Sequence, residues 1–196
     1  MKKFKSIVLA AIGLLCSMSV SAHKIHGVKG AGALFVSNNV RISPYILGGG
    51  QENGMVSGTE STPMICAFSE AVRDIGNIER NLHNVTNIRD YFVNKIKDVD
   101  KVYINSPQDA LPYIINISVE GVPSQVMLNS LSSMGIFVSA GSACAKGHRS
   151  DVLTTMGVSP AGIDSAIRIS LSKFTTENDM DLLYNGIIET INRVRR

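Results

Sequence analysis

The segment YIINISV, residues 113–119, narrows the fold more than any other stretch of the chain. It is rich in β-branched side chains, which fit a pleated, half-buried surface and lose rotamer freedom in a helix. A strand is predicted here, inside a series of short elements. Val102, Tyr103 and Ile104 form a strand before it, with a turn over residues 105–109. Pro123 opens a helix that carries Met127, Leu128, Leu131 and Met134 on one stripe, and Gly135 ends it. Residues 136–138 and 166–171 read as two further strands. Thr176 caps a final helix whose Met180, Leu183, Tyr184, Ile187, Ile188, Ile191 and Val194 keep a 3.6-residue period. Strands on one side and helices across one face predict a small α+β domain over residues 98–196.

The preceding half is more broken. Residues 32–37 read as a strand, Asn38 and Asn39 as a turn, and residues 41–47, with Pro44, as an edge or irregular segment. Gly48, Gly49 and Gly50 then open a loop that reaches Thr59. Thr62 and Pro63 start a helix that runs to Ile75, with Met64, Ala67, Phe68 and Ala71 on one face. Cys66 falls on that stripe and is expected in the core. Leu82, Val85, Ile88, Phe92 and Ile96 recur at spacings of three and four, so a second helix is predicted over residues 78–97. His83 on this helix reads as a surface or boundary residue.

Three places carry candidate chemistry. The first is SAHKIHGVKGAG, residues 21–32, where Ser21 and His23 precede Lys24. Lys24 follows an apolar run that could end a buried strand. An ammonium held there is desolvated, and a free amine attacks carbonyls, most commonly as a Schiff base with pyridoxal phosphate. A strand end followed by a solvated Gly-Lys turn is the alternative. The second place is the loop of residues 139–150, where Cys144 lies among Lys146, His148 and Arg149. Positive neighbours favour a thiolate, the nucleophilic form of cysteine; an ordinary free cysteine is the alternative. Cys144 and His148 are two ligands, and two do not make a zinc site, so no metal is expected. The third is Arg168, which alternates with Ile167 and Ile169 and should face away from them, towards a ligand or solvent.

These segments also carry a resemblance. SAHKIHGVKGAGALFV (21–36) looks like the cofactor-lysine segment of the cysteine desulfurases of the NifS and IscS type, enzymes of the class V aminotransferase fold. GGGQE (48–52) with SGTE (57–60) resembles their glycine-rich segment, and VSAGSAC (138–144) resembles their catalytic cysteine loop. The resemblance implies an α/β fold: the end of a large pyridoxal-phosphate domain over residues 21–97, including a long connecting helix, and a small α+β carboxyl-terminal domain over 98–196. It implies a homodimeric enzyme that converts L-cysteine to L-alanine and leaves the sulfur on Cys144 as a persulfide. The acceptor implied is an iron–sulfur scaffold or another sulfur carrier. Lys24 would hold pyridoxal 5'-phosphate, with Ser21 and His23 beside it and Thr59 reaching the cofactor phosphate of the partner subunit. Arg168 would bind the substrate carboxylate. The family draws the acid for the cofactor's ring nitrogen, and the group that stacks on the ring, from before the lysine. Residues 1–20 contain no Asp, Glu or His. The chain alone is therefore expected to turn over poorly, with a non-catalytic, partner-binding fragment as the other reading.

Composition bears on the partners. The formal charge is +3, and Lys2, Lys3 and Lys5 supply that whole excess, so no basic patch for nucleic acid is implied. Three cysteines (Cys16, Cys66 and Cys144) are too few and scattered for a disulfide framework, which suits a reducing, cytoplasmic setting. The amino terminus argues otherwise: a basic start, an apolar run from Ile7 to Val20 and small residues at Ser21 and Ala22 have the form of a secretory signal. The run is short for a membrane span. Cleavage after Ala22 would remove Ser21 and leave Lys24 near a frayed end, so a signal and a cofactor lysine exclude each other. Residues 15–21 also read as a strand leading into Lys24, with a foreign segment before it.

Overall fold

The computed structural model describes residues 17–140 and 149–195. The leader-like residues 1–16, with Cys16, and the segment 141–148, with Cys144, Lys146 and His148, lie outside the described residues. The chain divides into two compact units, Met1–Gly76 and Asn77–Arg196.

In the first unit, β1 (Ser17–Ser21) pairs antiparallel with β2 (Gly32–Val36), Ser17 opposite Val36 and Ser21 opposite Gly32. Both predicted strands are therefore present. A 3₁₀ turn, Ala22–Ile25, leads out of β1. A second, Glu52–Gly54, interrupts the glycine-rich loop, and α1 (Thr62–Asp74) closes the unit with Pro63 in its first turn. Cys66 departs from expectation, since it is a free, exposed cysteine. On α1 only Ala71 is buried. A stripe in the sequence marks one helix face, but only a covering layer makes that face a core.

In the second unit, α2 (Ile78–Ile96) begins at Asn77, whose side chain accepts from the Arg80 amide at 2.8 Å. It buries Val85, Arg89, Phe92 and Ile96. Strands β3 (Val102–Ile104), β4 (Ile114–Val119) and β5 (Ala166–Ser170) form an antiparallel sheet in the order β3-β4-β5. Helix α3 (Ser124–Ser133) follows β4; two short helices, α4 (Asp151–Thr155) and α5 (Pro160–Asp164), precede β5. Helix α6 (Glu177–Val194) opens with a capping box in which Thr176 and Asp179 satisfy each other's backbone amides. It packs against α2 and α3. The core joins Ile115, Ile117, Ile167 and Ile169 of the sheet to Phe92, Met127, Leu131, Leu183 and Ile187 of the helices. These sheet residues alternate along β4 and β5, so one face of the sheet is apolar and buried, and the other is free for polar side chains.

One predicted strand is absent. Residues 136–138 form no strand, and only Ser139 makes a bridge, to Arg168. Helix α3 ends in a Schellman motif, with the Gly135 amide donating to the Ser132 carbonyl at 3.0 Å and the Ile136 amide to the Leu131 carbonyl at 2.9 Å. Ile136 thus still belongs to the helix cap. Among the described residues no helix is long and apolar enough to cross a membrane.

Candidate active site

Ser21 ends β1, and His23 and Lys24 sit on the 3₁₀ turn that follows. The turn is tightly built. The Ala22 amide donates to the Ala31 carbonyl at 3.0 Å, and the Gly27 amide donates to the Ala22 carbonyl at 2.9 Å. His26 closes it in the left-handed conformation, at φ 64°. Ala22 is fully buried, and a Cβ on Gly27 would stand 3.0 Å from that of Ala71 on α1. The turn is held against the helix because position 27 has no side chain. Ser21, His23 and Lys24 themselves are exposed. The desolvated lysine expected from the apolar run is not what these residues build, because β1 has an exposed face on either side of its backbone and buries none of its five residues.

Thr59 lies in the loop before α1, next to Gly58, whose φ is +141°. The loop is cross-tied: the Ser57 hydroxyl donates to the Gly49 carbonyl at 2.9 Å, and the Ser57 amide to the Ile46 carbonyl at 3.2 Å. Thr59 is exposed.

The second unit holds Arg168. On β5 it sits between the buried Ile167 and Ile169 and faces the other way, as the alternation predicts. Its Nε is buried and has no hydrogen-bond partner among the described residues. Its backbone is fully engaged: the Arg168 amide donates to the Ser139 carbonyl at 2.6 Å, and the Ser139 amide donates back at 3.1 Å. At the other flank of the cysteine segment, Arg149 grips Asp164 in a two-pronged fork, Nε to Oδ1 at 2.8 Å and Nη2 to Oδ2 at 2.7 Å. Hydrogen bonds from Arg149 hold the Asp164 carboxyl below its usual range, and the guanidinium is raised in return. Both flanks of residues 140–148 are thus tied to residues 164–168. Arg149, read from sequence as a cation for Cys144, has its charge met by Asp164.

Beside Arg168 runs a polar row that sequence reading passed over. Asn105 Nδ2 donates to Asn116 Oδ1 at 2.7 Å and to the Ser118 hydroxyl at 2.8 Å, and that hydroxyl donates to the Gly162 carbonyl at 2.7 Å. The signal was present: Asn116 and Ser118 alternate with Ile115, Ile117 and Val119, so period two sets them on the face opposite the core. Asp164 gave no such signal.

The donors of the lysine turn suit two ends of pyridoxal phosphate. Lys24 offers an amine for its aldehyde, and Ser21 and His23 offer hydrogen-bonding groups for its phosphate. An acid for the ring nitrogen is not found in β1, which contains only Ser17, Met18, Ser19, Val20 and Ser21. Among the described residues there is also no cluster of His, Cys, Asp and Glu that could hold a metal ion.

A family model for class-V aminotransferases matches residues 14–183. "Cysteine desulfurase IscS" of Rickettsia typhi is 36% identical over 185 residues, which are 91% of this chain and 45% of that protein. A solved structure described as a NifS-like protein superposes with a TM-score of 0.81 at 31% identity, covering 91% of this chain and 47% of that one. The NifS-like protein from Rickettsia africae gives 0.80 at 34% identity, covering 91% of this chain and 48% of that one. The chain thus spans about half the length of the relatives it matches.

Proposed function

The chain belongs to the aminotransferase class-V family, and from that premise we propose that it serves cysteine desulfuration, the conversion of L-cysteine to L-alanine with transfer of sulfur to Cys144. Its α/β fold is part of the NifS-like fold. The observation that carries the reading is the tethering of both flanks of the cysteine segment, Ser139 and Arg149, to the stretch that ends in Arg168. A carboxylate-binding arginine and a sulfur-accepting thiol must serve one small molecule. Joining their supports limits how far they can drift apart.

In this reading Arg168 holds the substrate carboxylate, and its Nε gains the acceptor that the described residues do not supply. Lys24 holds the cofactor aldehyde and moves a proton at the substrate's α-carbon, with Ser21, His23 and the partner subunit's copy of the Thr59 loop at the phosphate. Bound pyridoxal phosphate supplies an electron sink. The Cys144 thiolate attacks the substrate sulfur. One S–S bond forms, the substrate's C–S bond breaks, and its electron pair stays with the carbon skeleton, which takes a proton and leaves as alanine. No external oxidant or reductant is needed. The persulfide sulfur then passes to an iron–sulfur scaffold or another thiol carrier. The enzyme is a cytoplasmic homodimer in this reading.

The exposed lysine turn favours a second requirement. A Schiff-base lysine works in a pocket that excludes water, and β1 with its turn leaves Lys24 uncovered. The working enzyme therefore includes polypeptide beyond the described residues to complete the ring pocket; a non-catalytic, partner-binding fragment is the competing reading. The test is to incubate the purified chain with pyridoxal phosphate, reduce with borohydride and map the modified lysine by mass spectrometry. Labelling strongest at Lys24 is expected, because Ser21 and His23 stand beside it to hold the cofactor phosphate. Labelling no stronger at Lys24 than at the other surface lysines would overturn the cofactor assignment and favour the fragment.

A further inference from the structure

We propose that Asn116 is a second donor of the carboxylate site at Arg168, so that the substrate carboxylate is held between the two side chains. The proposal rests on the reading of Arg168 as a carboxylate ligand. Asn116 and Arg168 are direct partners in the β4–β5 register. The backbone of each is engaged on its outer side. Asn116 takes the Asn105 amide on its carbonyl at 2.9 Å and gives its own amide to the Ser106 hydroxyl at 2.8 Å; Arg168 exchanges both bonds with Ser139. The two residues therefore form a non-hydrogen-bonded pair, the kind that brings cross-strand side chains closest, at Cα separations of about 4.5 Å.

The row beside them fixes which way the Asn116 amide faces. The Gly162 carbonyl can only accept, so the Ser118 hydroxyl gives it a proton. Ser118 must then accept from Asn105, which presents its NH₂ edge and uses the second proton on Asn116 Oδ1. Asn116 thus has its oxygen spent towards β3, and its Nδ2 lies on the edge away from β3, the side on which β5 carries Arg168. Asn116 and Arg168 therefore present their side chains side by side on one face of the sheet, and Arg168 Nε is buried without a hydrogen-bond partner among the described residues. A group with two acceptor oxygens satisfies both; a carboxylate is the fitting class, and a neutral ester loses the charge that Arg168 requires.

The side-chain signals of Asn116 Nδ2 and Arg168 Nε can be followed by ¹H–¹⁵N NMR of the full 196-residue chain during titration with acetate, L-cysteine, L-cysteine methyl ester and phosphate. Acetate and L-cysteine should move both signals along one binding curve, and the methyl ester should move neither. Asn116→Ala should weaken acetate binding about tenfold, and Asn116→Asp should abolish it, because like charges then face each other. Asn116→Gln should recover part of the loss. If the Arg168 signal responds while Asn116 stays still, the proposal falls and the role of Arg168 stands. If neither responds, both fall. A response to phosphate equal to that of acetate would also overturn it, since the site would then be a general anion site. Because the titration of the unaltered chain reads both atoms directly, the test survives a variant that fails to fold.

Discussion

Ser139 and Arg168 exchange both of their backbone hydrogen bonds although no strand runs through Ser139. The pair works as a rivet: a residue leaving helix α3 and a residue in the middle of β5 are held together, and the cysteine segment begins directly after it.

Replacing Ser139 with proline removes the donor of one bond and disturbs the other. The Arg168 amide, which donates to Ser139, should then exchange with deuterium about tenfold faster, the change that loss of one net hydrogen bond of about 1.4 kcal/mol implies. Amides in the middle of β4 should keep their protection. Unchanged exchange at Arg168 would show that the rivet contributes nothing.

Gly27 is where the lysine turn meets α1. An added Cβ would lie 2.9 Å from the Ala22 carbonyl oxygen and 3.0 Å from the Ala71 Cβ, and neither can swing away. Gly27→Ala should destabilise the first unit by about 1–3 kcal/mol, the usual cost of overpacking. Gly54→Ala meets no atom within 4 Å and differs in having only its φ of +77° to resist it. Denaturant titration followed by limited proteolysis within residues 17–76 separates the two; equal stability of Gly27→Ala and the parent chain would refute the packing argument.

The Arg149–Asp164 fork gives a dependence on acid. Arg149 lowers the Asp164 carboxyl from its usual 3.8, so the folded value lies below the unfolded one. Stability from this pair is fully present above the unfolded value and disappears as the pH falls through the folded one. Both side chains are more than half exposed, so the effect is small and weakens with salt. Asp164→Asn should therefore lower stability at pH 7 and have no effect at pH 2. A difference that persists at pH 2 would assign the loss to packing instead.

Cys66 is exposed on α1. In the folded chain it should react with a disulfide reagent at nearly the rate of a free thiol, and Cys66→Ser should remove that phase of the reaction without lowering stability. Slow modification, or a large loss of stability in the serine variant, would return Cys66 to a packed environment.

The legible parts of this chain are those in which a period repeats. Strands β3, β4 and β5 and helices α1, α2, α3 and α6 all announce themselves by spacing, and the burial of Ile167 and Ile169 with Arg168 opposite follows from alternation alone. Helices α4 and α5 are five residues each, too short for a 3.6-residue period to appear, although Ser150 and Ser159 cap them. The run at residues 136–138 misleads because Ile136 is spent on capping α3. Exposure is the least legible property. Lys24 and Cys66 both follow or occupy apolar patterns, yet pattern reports only which residues share a face. Burial needs a second surface, and sequence spacing does not say whether one arrives. The same limit hid Asp164, whose part comes from a partner 15 residues away.

The hairpin of β1 and β2 has a consequence for the life of the molecule in a cell. Among the described residues these strands pair only with each other, and Met18, Leu34 and Phe35 are 46%, 59% and 50% exposed. Two strands with greasy faces and unpaired edges recruit whatever β-structure they meet, including their own copies. At high concentration such a surface favours association of one copy with another. Its solubility then becomes a property of its company, set by how soon a matching surface or a chaperone reaches the hairpin after synthesis.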